Sequence, residues 1–98
     1  MKISKEELIL IKETLKRYLP PSAEVYAFGS RIDGTARADS DLDLLIKDKD
    51  RIPGNTMEFI KEAFEESNLP FKVDVVDYHR ITTEFKNIIF KNSVKLEM

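Results

Sequence analysis

Apolar residues recur at helical spacing at the start of the chain, where Leu8, Ile11, Leu15 and Leu19 follow one another three or four positions apart. Ser4 and Glu7 stand at the spacing of a capping box, which sets the predicted start of this helix. Pro20 and Pro21 end it, because neither ring nitrogen carries a proton to donate. The pattern then shortens to two strand-length runs, Val25 to Phe28 and Leu42 to Ile46. Pro53-Gly54-Asn55-Thr56 forms a turn that also suits a helix start, and Met57, Ile60 and Phe64 follow on one helical face. Pro70 closes that helix. Phe71 to Asp77, which contains Val73-Asp74-Val75-Val76, predicts a third strand. A final helix starting near Thr82 or Thr83 carries Phe85, Ile88 and Ile89. Asn92-Ser93 ends it, and Val94 to Leu96 suit a short edge strand.

The predicted order is helix, strand, strand, helix, strand, helix. The long helical connection between the second and third strands is what a parallel crossover requires, and it should be right-handed. The segment from Phe28 to Leu42 can instead reverse the chain. The expected fold is α+β, a mixed β-sheet with helices packed on one face, forming a single domain over residues 1–98.

Composition narrows the function. With 98 residues and 42% hydrophobic content, the chain suits one modest core and leaves no room for a second, substrate-binding domain. A net charge of −2 argues against direct nucleic-acid binding, which normally needs a basic excess. No apolar run reaches the about 18 residues that a membrane span needs. The acidic pair Glu6-Glu7 falls where a signal peptide would be apolar, and there is no cysteine for a disulfide or thiolate metal site. A cytoplasmic location is the expectation, and an oligomer is compatible with the sequence.

Chemistry concentrates between residues 27 and 46. One apolar run stops at Gly29-Ser30, and after ten intervening residues Asp41 and Asp43 flank Leu42 at the start of the next. In a strand, Asp41 and Asp43 share one face, with Cα atoms ~6.5–7 Å apart. Their carboxylates can then converge on one cation, or on two spaced ~3.5–4 Å apart. Two carboxylates on a core strand are otherwise costly, through mutual repulsion and desolvation. Asp74 sits between valines in the third strand. If that strand lies beside Leu42–Ile46, Asp74 completes an all-oxygen cluster suited to magnesium. Gly29-Ser30 leaves the neighbouring strand beside it, and its exposed N–H groups and hydroxyl suit a phosphate.

The run Gly29-Ser30-Arg31…Gly34-Thr35-Ala36-Arg37…Ser40-Asp41-Leu42-Asp43-Leu44, with the later Asp74, resembles the minimal nucleotidyltransferases of the DNA polymerase beta superfamily. The likeness extends over nearly the whole chain. It implies two magnesium ions and a nucleoside triphosphate, usually ATP. Asp41 and Asp43 would hold both metals. Asp74 would ligate the catalytic one and assist deprotonation of the acceptor, and Gly29 and Ser30 would bind the β- and γ-phosphates. Small members of the family accompany HEPN-domain toxins, and some act as antitoxins by transferring AMP to a tyrosine of the toxin. The implied function is transfer of AMP from ATP to a hydroxyl of such a partner. A catalytically weak module that masks the HEPN partner, and a small-molecule nucleotidyltransferase completed by a second subunit, stand as alternatives.

Other polar residues read more plainly. Arg31 adjoins the Gly29-Ser30 turn and is the arginine expected at the nucleotide, whereas Arg31 and Arg37 can equally pair with Asp33 or Asp39. His79 reads as a surface polar residue, Asp77 as a cap facing away from Asp74, and residues 47–51 as a solvated charged exit. Phe59 and Phe71 read as core residues. Phe90 falls off the Phe85/Ile88/Ile89 stripe and is the candidate for a partner-facing apolar residue.

Overall fold

The computed structural model describes residues 3–34 and 40–98. Helix α1 (Lys5–Tyr18) opens with the expected capping box: the Ser4 hydroxyl accepts from the Glu7 N–H at 3.1 Å, and the Glu7 carboxylate accepts from the Ser4 N–H at 2.8 Å. Two otherwise orphaned donors are thus satisfied where the helix begins. Leu19 caps the other end in extended conformation, as a residue preceding proline prefers.

The strands are β1 (Glu24–Phe28), β2 (Leu42–Lys47), β3 (Val73–Asp77) and β4 (Ser93–Lys95), in the spatial order β3-β2-β1-β4. β1 pairs antiparallel with both β2 and β4, so residues 29–41 do reverse the chain. β2 and β3 are parallel, and α3 (Gly54–Glu65) is the crossover between them. The sheet is therefore mixed. Leu96 N–H donates to the Val25 carbonyl at 2.8 Å, which prolongs the short edge pairing by one residue.

Strand alternation sorts the side chains onto two faces. Val25, Ala27, Leu42, Leu44, Ile46, Val73 and Val75 build the main core with Ile11 and Leu15 of α1 and Met57, Ile60 and Phe64 of α3. Packing on one face thus holds for α1 and α3. Helix α4 (Thr83–Lys91), capped by the Thr82 hydroxyl, crosses the other face, where the Phe85 ring meets Phe28 edge-on at 5.9 Å and Phe90 meets Tyr26 at 5.1 Å. This changes the reading of the helix. Phe85 and Ile89 lie along the sheet, so Ile88 and Phe90 fall on either side of that line. Tyr26 and Tyr78 stand on the Phe90 side, and Ile88 is left 64% exposed. Phe59, expected in the core, is 52% exposed and stacks on Tyr18, whereas Phe71 is buried.

The charged exit from β2 is held more firmly than its composition suggests. Asp77 is buried, and its carboxylate accepts from the Ile52 N–H at 2.8 Å, the His79 N–H at 3.0 Å and the Arg80 guanidinium at 2.6 Å. It caps the 3₁₀ turn Tyr78–Arg80, as a cap facing away from Asp74 should. The same guanidinium donates to the Ile52 carbonyl at 2.7 Å, and His79 Nε2 lies 2.7 Å from the Asp48 carbonyl, which can only accept. Within the run, Lys49, Asp50 and Arg51 are exposed, while Lys47 and Asp48 are half-buried. Replacing Asp77 with alanine removes the acceptor of the buried Ile52 N–H and of the His79 N–H and, among the described residues, leaves the Arg80 guanidinium only the Ile52 carbonyl. Urea denaturation of Asp77→Ala is expected to show a loss of about 2–4 kcal/mol, with a smaller loss for Asp77→Asn, which keeps one acceptor oxygen.

Candidate active site

The site grows from the end of β1. Phe28 is the last β1 residue and pairs with Asp43. Gly29 then takes φ 89° and ψ −161°, a region essentially restricted to glycine. A Cβ at Gly29 would run into the Asp43 carboxylate, so the missing side chain provides the space that Asp43 occupies. Ser30 opens a single helical turn, α2 (Ser30–Asp33), which Gly34 closes in left-handed conformation. Four residues carry no readable period, and this turn was not legible beforehand.

On the other side of Asp43 stands Asp74, its register partner across the parallel β2–β3 pair. Asp74 is exposed, facing away from the Val73 and Val75 core. Asp41 lies just ahead of β2 and is exposed, two residues from Asp43. The Leu42 N–H donates to the Lys72 carbonyl at 2.8 Å, carrying the pairing back to the residue after Asp41. Asp43 is half-buried. Burial, and then the charges of Asp74 and Asp41, raise its carboxyl above the ordinary value of 3.8. The expected carboxylates are therefore electrostatically joined. Among the described residues no three acidic or histidine side chains converge as a ready-made metal cage, and mutual repulsion opposes closer approach. The donor set is all oxygen and carries excess negative charge around a half-buried group. Such a set fits a hard divalent cation such as magnesium.

Arg31 is placed differently from the expectation of an arginine reaching toward a phosphate. Its side chain is buried, its Nε donates to the Ser40 carbonyl at 2.7 Å, and its guanidinium lies 4.0 Å from the centroid of the Phe71 ring. Arg37, Asp39 and the Asp33 side chain lie outside the described residues. Phe28, beside Asp43 in register and in ring contact with Phe85, adds an aromatic flank to the carboxylate face. Alternation along β1 was the signal for it. Cavities of about 400 and 600 Å³ around Leu19 and Pro20 touch none of these residues. The carboxylates lie on a face of the sheet where Asp41 and Asp74 are exposed.

A sequence profile of the family described as polymerase beta, nucleotidyltransferase, matches residues 10–97. The probable protein adenylyltransferase MntA of Haemophilus influenzae is 40% identical over 95 residues, which cover 97% of this chain and 82% of that protein. A crystal structure of a toxin-antitoxin with AMP-PNP superposes with a TM-score of 0.77 at 23% identity, covering 92% of this chain and 72% of that one. A second structure holds a tri-AMPylated Shewanella oneidensis HEPN toxin in complex with an MNT antitoxin. It superposes with a TM-score of 0.63 at 18% identity, over 92% of this chain and 71% of that one. At these identities the structural likeness is one of fold.

Two glycines with positive φ differ in how much strain an alanine would meet. Among the described residues nothing lies near a Cβ at Gly34, so Gly34→Ala is expected to cost only about 1 kcal/mol in urea denaturation. Gly29→Ala meets the greater strain of its glycine-restricted φ and ψ and must also turn the flexible end of Asp43 aside, and a loss on the order of 1–3 kcal/mol is expected. Asp43 itself yields a pH-dependent outcome. Folding raises its proton affinity, so ionising it disfavours the folded state. The penalty is absent below the ordinary value of 3.8 and complete above the raised one. Asp43→Asn should therefore melt a few degrees higher than the parent at pH 7 in metal-free buffer, and the gain should vanish under acid conditions.

Proposed function

The chain belongs to the polymerase beta nucleotidyltransferase family, and on that premise we propose that it is a magnesium-dependent protein adenylyltransferase. It transfers AMP from ATP to a hydroxyl of a HEPN-domain toxin in the cytoplasm and neutralises that toxin as an antitoxin. The observation that carries this reading is the contact between two motifs: a Cβ built on Gly29 would meet a carboxylate oxygen of Asp43. A phosphate-binding turn and a metal-binding carboxylate must be neighbours if one triphosphate is to touch both. The 40% identity to a probable protein adenylyltransferase supports AMP as the transferred group. The AMPylated HEPN toxin found with a fold relative supports a protein acceptor.

In this reading residues 1–98 act as a single nucleotidyltransferase domain. Asp41, Asp43 and Asp74 hold magnesium, and the backbone N–H groups and hydroxyl of Gly29-Ser30 take the β- and γ-phosphates. When bound, magnesium supplies neutralisation of the triphosphate charge and a lowered pKa for the acceptor hydroxyl. The acceptor oxygen forms a bond to the α-phosphorus, the bond from that phosphorus to the α–β bridging oxygen breaks, and pyrophosphate departs. Asp74 receives the hydroxyl proton, a role supported by its exposure and its register beside Asp43. Asp43 fixes the reacting groups relative to Gly29.

The test combines purified protein, magnesium, ATP and its HEPN partner, read by intact mass. The expected result is a gain of one or more AMP units on the partner, lost with chelator and reduced by at least about 100-fold in Asp41→Asn/Asp43→Asn. If that double variant makes no AMP transfer yet still neutralises the partner, masking and not catalysis is the mechanism.

A further inference from the structure

We propose that Arg31 is a positioning residue for Asp41, acting through the backbone of Ser40, and not a ligand of the triphosphate. The proposal rests on the reading that Asp41 holds a divalent cation. Arg31 follows Ser30 directly, so its place in sequence suggests a phosphate contact, but its surroundings are those of a structural strut. The side chain is 5% exposed. Its Nε–H donates to the Ser40 carbonyl at 2.7 Å, and the guanidinium carbon lies over the ring of Phe71, itself 8% exposed, at 4.0 Å from the ring centroid.

Asp41 is therefore bracketed. On its N-terminal side the Ser40 carbonyl is held by Arg31, which rests on Phe71. On its C-terminal side the Leu42 N–H is held by the carbonyl of Lys72, the residue after Phe71. Both anchors lead to the same two residues at the threshold of β3. The peptide units on either side of Asp41 are thus referred to the strand that carries Asp74. Asp41 precedes the regular ladder of β2, and without such anchors its carboxylate would swing with a loop. Repulsion from Asp43 and Asp74 would favour the outward positions. A planar guanidinium suits this task because it can donate in its plane and stack through its face at the same time. Lysine cannot do both. The link also begins one residue after the phosphate-binding turn, so it couples the turn to the metal-binding side chain.

Titration with Mn²⁺ alone, followed by electron paramagnetic resonance, tests the idea on the intact chain with no nucleotide present. Asp41→Asn serves as the reference for loss of a ligand. Arg31→Lys, with its melting temperature recorded, is expected to raise the Mn²⁺ dissociation constant about 10-fold, the order seen when a group supporting a metal ligand is removed. The KM for ATP at saturating Mn²⁺ should stay within about 2-fold while kcat falls. Phe71→Leu keeps the guanidinium but removes the ring beneath it, and a weakening of about 3-fold is expected. Unchanged Mn²⁺ affinity in Arg31→Lys beside a clear loss in Asp41→Asn overturns the proposal and leaves the metal reading intact. An ATP KM raised about 10-fold at unchanged Mn²⁺ affinity makes Arg31 a nucleotide ligand instead. If Asp41→Asn itself binds Mn²⁺ normally, the metal reading fails and the proposal with it. Should Arg31→Lys not fold, unchanged Mn²⁺ affinity in Phe71→Leu is the overturning result.

Discussion

The hydrogen bonds that hold β2 parallel to β3 set Leu42 opposite Val73 and Asp43 opposite Asp74, and both the core and the site follow from that single register. A slip of one residue would turn Val73 and Val75 out of the core and put Asp74 into it. The hydrophobic pattern therefore selects the register, and the carboxylates are carried into place by it. The β1–β2 pairing has the same effect on the other side. It sets Phe28 against Asp43, so the first residue beyond β1, Gly29, passes directly beside the carboxylate.

Two aspartates of the same strand show how position decides chemistry. Asp74 and Asp77 are three residues apart and so face opposite sides of the sheet. Asp77 enters the core side and is satisfied by two backbone N–H groups and Arg80, which makes it a fastening for the end of β2. Asp74 stays on the open face, where its charge adds to that of Asp43 and Asp41. A buried, fully satisfied carboxylate stabilises a fold. A half-buried one among like charges destabilises it and is retained where a cation or a proton has to be bound. The main core, buried on α1, α3 and the inner face of the sheet, offsets that cost.

The open face is also where α4 departs from the other helices. By crossing the sheet on the carboxylate side, it adds Phe85 next to Phe28 and leaves Ile88 exposed on its outer surface. The carboxylate face thereby has aromatic rings on its β1 side and ends with Asp74 on the edge strand β3.

Much of this was legible in the residues. Ser4 and Glu7 announced α1, Met57, Ile60 and Phe64 the buried side of α3, and the long helical connection made β2 and β3 parallel. Asp41, Asp43, Asp74 and Gly29-Ser30 stood out because polar residues interrupt apolar strands at a spacing that alternation turns into a common face. These are local signals, fixed by backbone period and turn chemistry, and a sequence carries them without help from the rest of the fold. Contacts between distant segments decided the remainder. Only the assembled sheet determines that α4 takes the face opposite α1 and α3, because Phe85 and Phe90 choose their side by meeting Phe28 and Tyr26. Only there does Arg31 find Phe71, forty residues away, and become a strut instead of a surface cation. The contact that a Cβ at Gly29 would make likewise exists only once β1 and β2 are paired, since the carboxylate it would meet belongs to another strand.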